Sequence, residues 1–475
     1  MSHLARKLST LAAAVVVAGC VDLTPRLELP EPPIPAAWPL AETTPAGPGD
    51  AGAAADVGWR DFLADERLEG LVALALENNR DLRVAALTTL RARELHRIRR
   101  ADRLPGVAAD ASALRTRVPG SLSSDGGAET LGEYSVDLGV AAFELDLFGR
   151  VRNLSRAALE DYLATEEARR SIQLGLIAEV ARTYLTLAAD EQLQRLAAET
   201  LRSQEESFRL TESRHELGAV SGLDLAQAQT TVESARVDVA RFAGSVAQDV
   251  NALRLLVGAP VGPELLPASL DTASPGLAPL PPGLPSEVLL RRPDVLAAEH
   301  RLRAANADIG AARAAFFPRI TLTGAVGTAS DELSDLFGSG TGTWSFVPRV
   351  TLPIFEAGRL RAARRAAVVG RDIAVARYEQ AIQVGFREVA DALALTETLA
   401  RQRAAQEALA EAAARAHALS QARYDEGRDS YLTLLDSQRF LYAAQQALIV
   451  TRLAEQANRI TLYRVLGGGW REGGG

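Results

Sequence analysis

Cysteine is almost missing from this sequence: Cys20 is the only one in 475 residues, and there are only five histidines. One thiol cannot form a disulfide within the chain, and metal sites need several cysteine, histidine or carboxylate ligands. The sequence also lacks phosphate-binding glycine loops, paired-histidine zinc motifs and nucleophile elbows. We therefore expect no catalytic residues, no metal and no bound cofactor, and we expect His215 and His300 to be surface residues.

Long apolar runs and an excess of positive charge are also missing. The chain has 52 basic and 60 acidic residues, a net charge of −8, which argues against a nucleic-acid partner. Beyond the first twenty residues, no apolar run reaches the roughly 20 residues of a membrane helix. If the body of the chain crosses a membrane, it must do so as strands of a closed β-barrel.

The surroundings of Cys20 have the pattern of an export signal. Basic residues open the chain, and a short apolar stretch from Leu8 to Ala18 ends at Gly19. The tetrapeptide VAGC resembles the bacterial lipobox, in which the cysteine is acylated and becomes the mature N-terminus. We expect Cys20 to carry N-acyl and diacylglycerol lipid and to anchor the protein to an outer membrane. The alternative is a plain secretory signal that happens to contain a cysteine.

Proline is absent from two long windows, residues 120–259 and 354–475. Because proline breaks helices, both windows can be helical over great lengths. A continuous helix from Gly149 to Gly218 would be roughly 100 Å long, at about 1.5 Å per residue. Within it, one apolar stripe recurs at spacings of three and four residues: Ile172, Leu176, Val180, Tyr184 and Leu187.

The chain repeats itself internally. Gly149-Arg150 and Gly358-Arg359 each open a long helical window, 209 residues apart. The same shift pairs Gly218 with Gly427, and further upstream the shift becomes 213 residues. A constant shift over more than a hundred residues indicates a duplication, in which each half has long helices and one segment of different length.

The segments where the shift changes alternate between apolar and polar residues, at about 107–147 and about 319–355. Period-two alternation over about ten residues is typical of a membrane β-strand, and a soluble hairpin with one buried face gives the same pattern. In the first segment the alternation slips near Phe143. Two hairpins supply four strands, fewer than the about eight needed to close a barrel. Membrane strands would therefore require several chains to share one barrel.

Four long segments carry a family resemblance. They are DVGWRDFLADERLEGLVALALENNRDLRVAAL (56–87), FELDLFGR (143–150), LLRRPDVLAAEHRLRAANADIGAARAAFFPRITLTG (289–324) and YLTLLDSQRFLYAAQQALI (431–449). Together they make the chain similar to the outer membrane factor (TolC) family, and most of all to its lipoprotein branch of OprM-like and NodT-like proteins.

The resemblance implies a fold class that mixes β-barrel and long α-helical coiled coil. Three chains would share one twelve-stranded barrel, four strands each, above a periplasmic helical tunnel. It also implies a passive exit duct for drugs or other small molecules. The expected partners are two further copies of the chain, outer membrane lipid, a periplasmic membrane-fusion adaptor and an inner-membrane pump of the resistance-nodulation-division type.

The expected organisation follows from the signal, the prolines and the repeats. It comprises a signal peptide (1–19), a lipid-anchored extended arm (20–55), a first repeat (56–259), a linker (260–285), a second repeat (286–467) and a C-terminal tail (468–475).

The second repeat contains a candidate gate. Leu432, Asp436 and Arg439 follow one another at spacings of four and three residues, on one face of a helix. By resemblance, Leu432 forms an apolar constriction at the periplasmic tip and Asp436 takes part in ion pairs, with Arg439 as a candidate partner. Gln227 and Thr230 replace the charged pair in the first repeat. On spacing alone, an ordinary solvated helix face is the favoured interpretation, because leucine, aspartate and arginine at such spacings are common.

The two helix breaks share the pattern G-x-x-S-x-L, with glycine suited to a left-handed turn and serine to a helix cap. By resemblance these turns contact the adaptor, at Gly218, Ser221, Leu223, Gly427 and Ser430. A purely structural turn is the alternative.

Two other functions stay open on the sequence. A coiled-coil lipoprotein could bridge the envelope layers without conducting anything, but a bridge has no use for membrane strands. A duct of the same fold could instead serve type I protein secretion, because the upstream components select the cargo.

Overall fold

The computed structural model describes residues 22–35, 38, 58–63, 65–123, 126–267, 269–270 and 286–468. Cys20 and the expected signal peptide lie outside these residues, as do most of the expected linker and all but the first residue of the expected tail.

The described residues contain eight α-helices and four β-strands. The helices are α1 (Trp59–Phe62), α2 (Glu66–Asn78), α3 (Arg80–Ala101), α4 (Arg150–Glu216), α5 (Gly222–Val257), α6 (Pro293–Ala314), α7 (Arg359–Asp425) and α8 (Tyr431–Val465). The strands are β1 (Val107–Val118), β2 (Glu129–Leu145), β3 (Arg319–Ser330) and β4 (Gly342–Thr351). Both proline-free windows form helices of 67 residues, α4 and α7, as predicted.

The chain divides into two compact units that cut across the sequence repeats. The first is built from the chain up to Glu31, Thr89–Thr165 and Ala298–Tyr378. The second is built from Pro32–Thr88, Glu166–Ala297 and the chain from Glu379 onward. The first unit contains the whole sheet, and the second contains most of the helical core.

The sheet of the first unit is antiparallel, with strand order β1-β2-β3-β4. Its centre joins the two halves of the sequence, because β2 pairs with β3 from Tyr134↔Ser330 to Leu145↔Ile320. The register shifts between Val140 and Phe143, which confirms the slip predicted near Phe143. Ala142 has a φ of 51°, an unusual conformation for a residue with a Cβ, and such a bulge locally bends the strand.

The register gives the sheet one apolar and one polar face, since side chains alternate along each strand. The apolar face carries Val107, Ala109, Tyr134, Val136, Leu138, Val140, Val326, Trp344, Phe346 and Val350. The polar face carries Asp110, Ser112, Ser135, Asp137, Thr321, Thr323, Thr343, Ser345 and Arg349. The apolar face is not a protein core: Trp344 is 79% exposed and Phe346 is 62% exposed.

The core of the second unit packs α1, α2, α4, α5 and α8 together. Phe62 and Tyr463 stack with ring centroids 3.8 Å apart, and the Tyr184 hydroxyl donates to Asp65 over 2.8 Å. The apolar stripe predicted on α4 is buried from Leu176 to Leu187, whereas Ile172 at its start is 43% exposed. The stripe therefore begins to meet the core one turn later than its spacing predicts.

The duplication is visible as one repeated interaction. Asn79 Nδ2 donates to the carbonyl of Leu256 over 2.7 Å, and Arg292 Nη1 donates to the carbonyl of Val465 over 2.8 Å. The two donors are 213 residues apart and the two acceptors 209 residues apart, which are the two shifts found in the sequence. In each half, the residue that precedes α3 or α6 therefore fixes the end of the last helix of that half, α5 or α8.

Candidate gate and helix turns

The two turns between long helices use glycine and serine as the sequence indicates. Gly218 and Gly427 have φ values of 71° and 70°, in the left-handed region. Ser221 caps α5 in a reciprocal pair with Asp224, in which each side chain accepts the other residue's backbone N–H over 3.1 Å. Ser430 caps α8 by accepting the N–H of Thr433 over 3.3 Å. These residues have structural roles whatever partner the turns contact.

The three candidate gate residues lie together on the outside of α8. Leu432 is 49% exposed, and the side chains of Asp436 and Arg439 are more exposed still. Within the chain, Arg439 Nη1 lies 4.0 Å from Asp436 Oδ1, at the outer limit of an ion pair. A pair so long and so exposed contributes little to stability within one chain. The structure thus leaves this face available for contacts beyond the chain.

The opposite face of α8 packs inward. Tyr431, Leu434 and Leu435 form a small buried cluster with Ala228 of α5, and Phe208 of α4 packs against it. This cluster joins the helix pair of the second repeat to that of the first, close to both turns.

Two polar contacts that the sequence did not indicate also join the helix pairs. Arg214 donates to the Tyr424 hydroxyl over 3.1 Å, and the Tyr442 hydroxyl donates to Asp238 over 3.0 Å. Burial, with the hydrogen bond to Asp238 as a second cause, raises the pKa of Tyr442 to about 12. The partners in each contact are more than 200 residues apart in sequence, so no local pattern could have paired them.

A third polar contact closes the second turn on itself. Arg423 donates two hydrogen bonds to the carboxylate of Asp429, over 2.7 and 2.9 Å, and this bidentate contact lowers the pKa of Asp429. The spacing of six residues across a glycine turn was a local signal that could have revealed this pair.

The remaining expectations concern metal, histidine and membrane helices. Among the described residues, no group of three or more potential ligands could hold a metal ion, and no helix is long and apolar enough to span a membrane. His300 is not the surface residue expected from the sequence. Its side chain is mostly buried, and Nδ1 lies 2.7 Å from a carboxylate oxygen of Glu160.

Comparison with known proteins gives a consistent assignment. The family model "Outer membrane efflux protein" matches residues 71–259 and 284–468. The chain is 48% identical over 467 residues to the toluene efflux pump outer membrane protein TtgC of Pseudomonas putida, covering 98% of this chain and 96% of TtgC. It is 45% identical to the outer membrane protein OprJ of Pseudomonas aeruginosa, with coverages of 98% and 96%. The open-state MtrE outer membrane channel of Neisseria gonorrhoeae superposes with a TM-score of 0.85 at 39% identity, covering 94% of this chain and 98% of MtrE.

These matches confirm the predicted family, and the matching structures confirm the predicted fold class of barrel strands combined with long tunnel helices. The relatives are efflux proteins of the outer membrane that extend into the periplasm, which confirms the predicted location. The chain therefore belongs to the outer membrane efflux protein family and is the outer-membrane channel component of an efflux system.

Proposed function

We propose that this protein is a passive, trimeric exit duct for small molecules in a tripartite efflux system. A periplasmic adaptor and an inner-membrane pump of the resistance-nodulation-division type supply the energy and choose the cargo. The name of the relative TtgC supports cargo of the toluene class, small and apolar. A passive duct needs no catalytic residues, and the proposal assigns none.

The sheet is the observation that carries the proposal. Its apolar face is exposed and its other face is lined by serine, threonine and charged side chains. A soluble hairpin would bury the apolar face, whereas a barrel wall turns it towards lipid and turns the polar face towards a water-filled lumen. Among the described strands, β1 pairs only with β2 and β4 pairs only with β3. Pairing β4 of one copy with β1 of the next would satisfy both edges and close a barrel from three chains.

The gate and the adaptor contacts are part of the proposal. Leu432 would narrow the lumen, and Asp436 would form ion pairs with Arg439 of its own or a neighbouring chain. Their exposure on α8 supports contacts beyond the chain. The adaptor would bind the turns through exposed side chains such as Leu223, while Gly218, Ser221, Gly427 and Ser430 shape those turns.

We also propose that Cys20 carries lipid that anchors the protein to the outer membrane, with the arm leading from it along the protein. The lipobox pattern supports this. Replacement Cys20→Ser should abolish labelling by radioactive palmitate and impair localisation or assembly. Unchanged labelling of the variant would refute the anchor.

Single-channel conductance in planar bilayers tests the duct and its gate. Wild type is compared with Asp436→Ala/Arg439→Ala, and with Gln227→Ala/Thr230→Ala at the equivalent positions of the first repeat as the matched control. We expect small discrete steps in wild type and in the control, and larger steps in the gate variant, because the ion pairs that hold the constriction are lost.

Three other results are informative. Conductance steps of equal size in all three proteins would support the duct and refute this gate. Larger steps in the control as well would assign gating to both repeats. No steps from folded, oligomeric protein would refute the duct and favour a structural bridge.

A further inference from the structure

Both long helices begin with arginines where helices ordinarily prefer acidic residues. The positive end of the helix dipole favours aspartate and glutamate in the first turn, yet the first turns of α4 and α7 contain none. The arginines recur at the same places in both repeats: Arg150, Arg152 and Arg156 in α4, and Arg359, Arg361 and Arg365 in α7. Each pair is 209 residues apart. The first arginine of each helix is paired within the chain, Arg150 with Glu144 and Arg359 with Glu356, and Asp146 accepts the backbone N–H of Arg152 over 2.7 Å. The arginines that remain to be matched by an anion lie farther along, at positions 152 and 156 of α4 and 361 and 365 of α7.

In the first repeat, the anion is part of the chain. Arg156 Nη1 lies 3.6 Å from the carboxylate of Asp22, and the guanidinium of Arg152 also interacts with the charge of Asp22. Asp22 belongs to the extended N-terminal arm and is only two residues from Cys20. In this repeat a carboxylate of the arm therefore faces Arg156, with the charge of Arg152 nearby.

The arm is held firmly in this position. The Thr24 hydroxyl donates to Asn153 Oδ1 over 2.8 Å, and Asn306 Nδ2 donates to the carbonyl of Pro25 over 2.9 Å. Gly310 leaves room for the arm, because a Cβ at that position would clash with the Thr24 hydroxyl. The location of Asp22, which follows Cys20 by two residues in the sequence, is thus fixed by several independent contacts of its neighbours.

In the second repeat, the equivalent site has no anion from the described part of the chain. Arg361 and Arg365 are exposed, as is their neighbour Arg364, and none of the three forms an ion pair with a described residue. No acidic residue occurs between Glu356 and Asp372. The position equivalent to Asn153, which holds the arm, is an alanine, Ala362. The arginines are repeated, but the arm-binding side chain is not.

The arm also identifies the side of the protein to which these arginines point. Farther along, Arg26 and Glu28 of the arm line a cavity of about 600 Å³ together with Arg371 and Val375 of α7. Residues 361, 364, 368, 371 and 375 are spaced by three or four positions and share one face of α7. The arm lies beside the part of this face that contains Arg371 and Val375. The exposed arginines lie on the part of α7 nearer its start, and so nearer the strands. An arm that starts from a lipid-modified cysteine must run on the lipid side of a barrel, so this face is on the lipid side too.

From this we infer that Arg361, Arg364 and Arg365 bind the phosphate of phospholipid head groups in the inner leaflet of the outer membrane, beside the lipid anchor. Guanidinium groups suit phosphate oxygens in charge and geometry. The three arginines lie in the first two turns of α7, which begins at Arg359, eight residues after β4 ends at Thr351. In a barrel protein this is the level at which a membrane presents its head groups. The inference rests on the proposed lipid anchor, because the anchor is what assigns this face to the lipid side.

The test measures binding of fluorescent short-chain phosphatidylglycerol to full-length, detergent-purified protein. Wild type is compared with Arg361→Gln/Arg365→Gln. Arg401→Gln/Arg415→Gln, which removes the same charge from exposed arginines farther along α7, is the matched control. We expect the site variant to bind at least about tenfold more weakly, since each arginine near an anionic surface contributes about fivefold, and the control to stay within about twofold of wild type.

Equal binding by wild type and the site variant would overturn the inference. Displacement of the lipid by the same concentration of inorganic phosphate would also overturn it, because a plain anion site would then remain. Intact-mass measurement of the same wild-type protein reports acylation separately. Missing acyl mass would refute the anchor, whereas acylated protein whose lipid binding ignores the arginines would refute this inference alone.

Discussion

Arg292 shows how much one side chain can hold together in the second unit. Its guanidinium donates to Asp294, to Glu388 and to the carbonyl of Val465, over 2.7 to 3.0 Å, and only 7% of the side chain is exposed. Removal of this guanidinium would take its hydrogen bonds away from two carboxylates and one carbonyl at once.

Arg292→Ala should therefore destabilise the protein by about 3 kcal/mol, the usual scale for breaking a buried ion pair from one side. The midpoint of urea unfolding in detergent measures it. Arg401→Ala is the control, because its side chain is 71% exposed and such surface changes stay within about 0.5 kcal/mol. If both variants unfolded at the same urea concentration, Arg292 would not have the role assigned to it.

The sequence shows which positions correspond in the two repeats, but it does not show which residues these positions contact. The repeat aligns Asn79 with Arg292, but only the structure shows that both donate to the last turn of a distant helix. In the candidate site, the glycine and serine roles at the turns could be read from local patterns. The contact of Arg214 with Tyr424 could not, since it depends on how two separate helix pairs pack.

At the scale of helices, α4 and α5 bring two carboxyl groups together. Asp190 of α4 hydrogen-bonds with Asp249 of α5 and with Ser245, and it is also near Arg241. Burial, followed by the charge of Asp190, raises the pKa of Asp249 to about 6. The second repeat has Asn458 at the place of Asp249, and this amide donates to the Ala392 carbonyl of α7 over 2.9 Å.

The raised pKa makes the junction of α4 and α5 sensitive to pH. A carboxyl group whose pKa is higher in the folded state stabilises the fold fully below its unfolded value of 3.8, and that contribution is lost as pH rises through about 6. At pH 8 both carboxylates are charged and repel each other. Asp249→Asn should therefore raise the thermal unfolding midpoint at pH 8 and change it little at pH 4.5.

The control for this prediction is Asp391→Asn, an exposed aspartate of α7, which should change neither midpoint appreciably. If Asp249→Asn stabilised the protein equally at both pH values, the effect would not come from the titration of the Asp190 and Asp249 carboxyl groups. Packing would then be the cause.

Most elements could be predicted because their signals are local. Missing proline predicted α4 and α7, and alternation predicted the strands with the irregularity near Phe143. The burial of each helix face depends on which other helices cover it, and this is why Ile172 continues the apolar stripe in sequence and yet remains exposed.

For the whole molecule, the sheet determines what kind of protein this is. Alternation predicts that each strand has two faces, but the pairing of β2 with β3 brings together segments separated by α4, α5 and α6. Only that pairing shows that the apolar faces of all four strands form one surface. This apolar surface is exposed in a single chain. Because exposing a continuous apolar surface to water costs free energy, we expect the surface to contact lipid.

One pair of neighbouring residues tests this orientation. Phe346 lies on the apolar face and Ser345 on the polar face of β4. Arginine towards lipid at mid-membrane depth costs about 2–4 kcal/mol, whereas arginine in a water-filled lumen costs little. Phe346→Arg should therefore reduce the yield of heat-resistant oligomer in outer membranes severely, and Ser345→Arg should leave the yield near wild type while altering single-channel conductance. If both variants gave the same yield of oligomer, the apolar face would not contact lipid. If Ser345→Arg reduced the yield and Phe346→Arg did not, the polar face would be the one that contacts lipid.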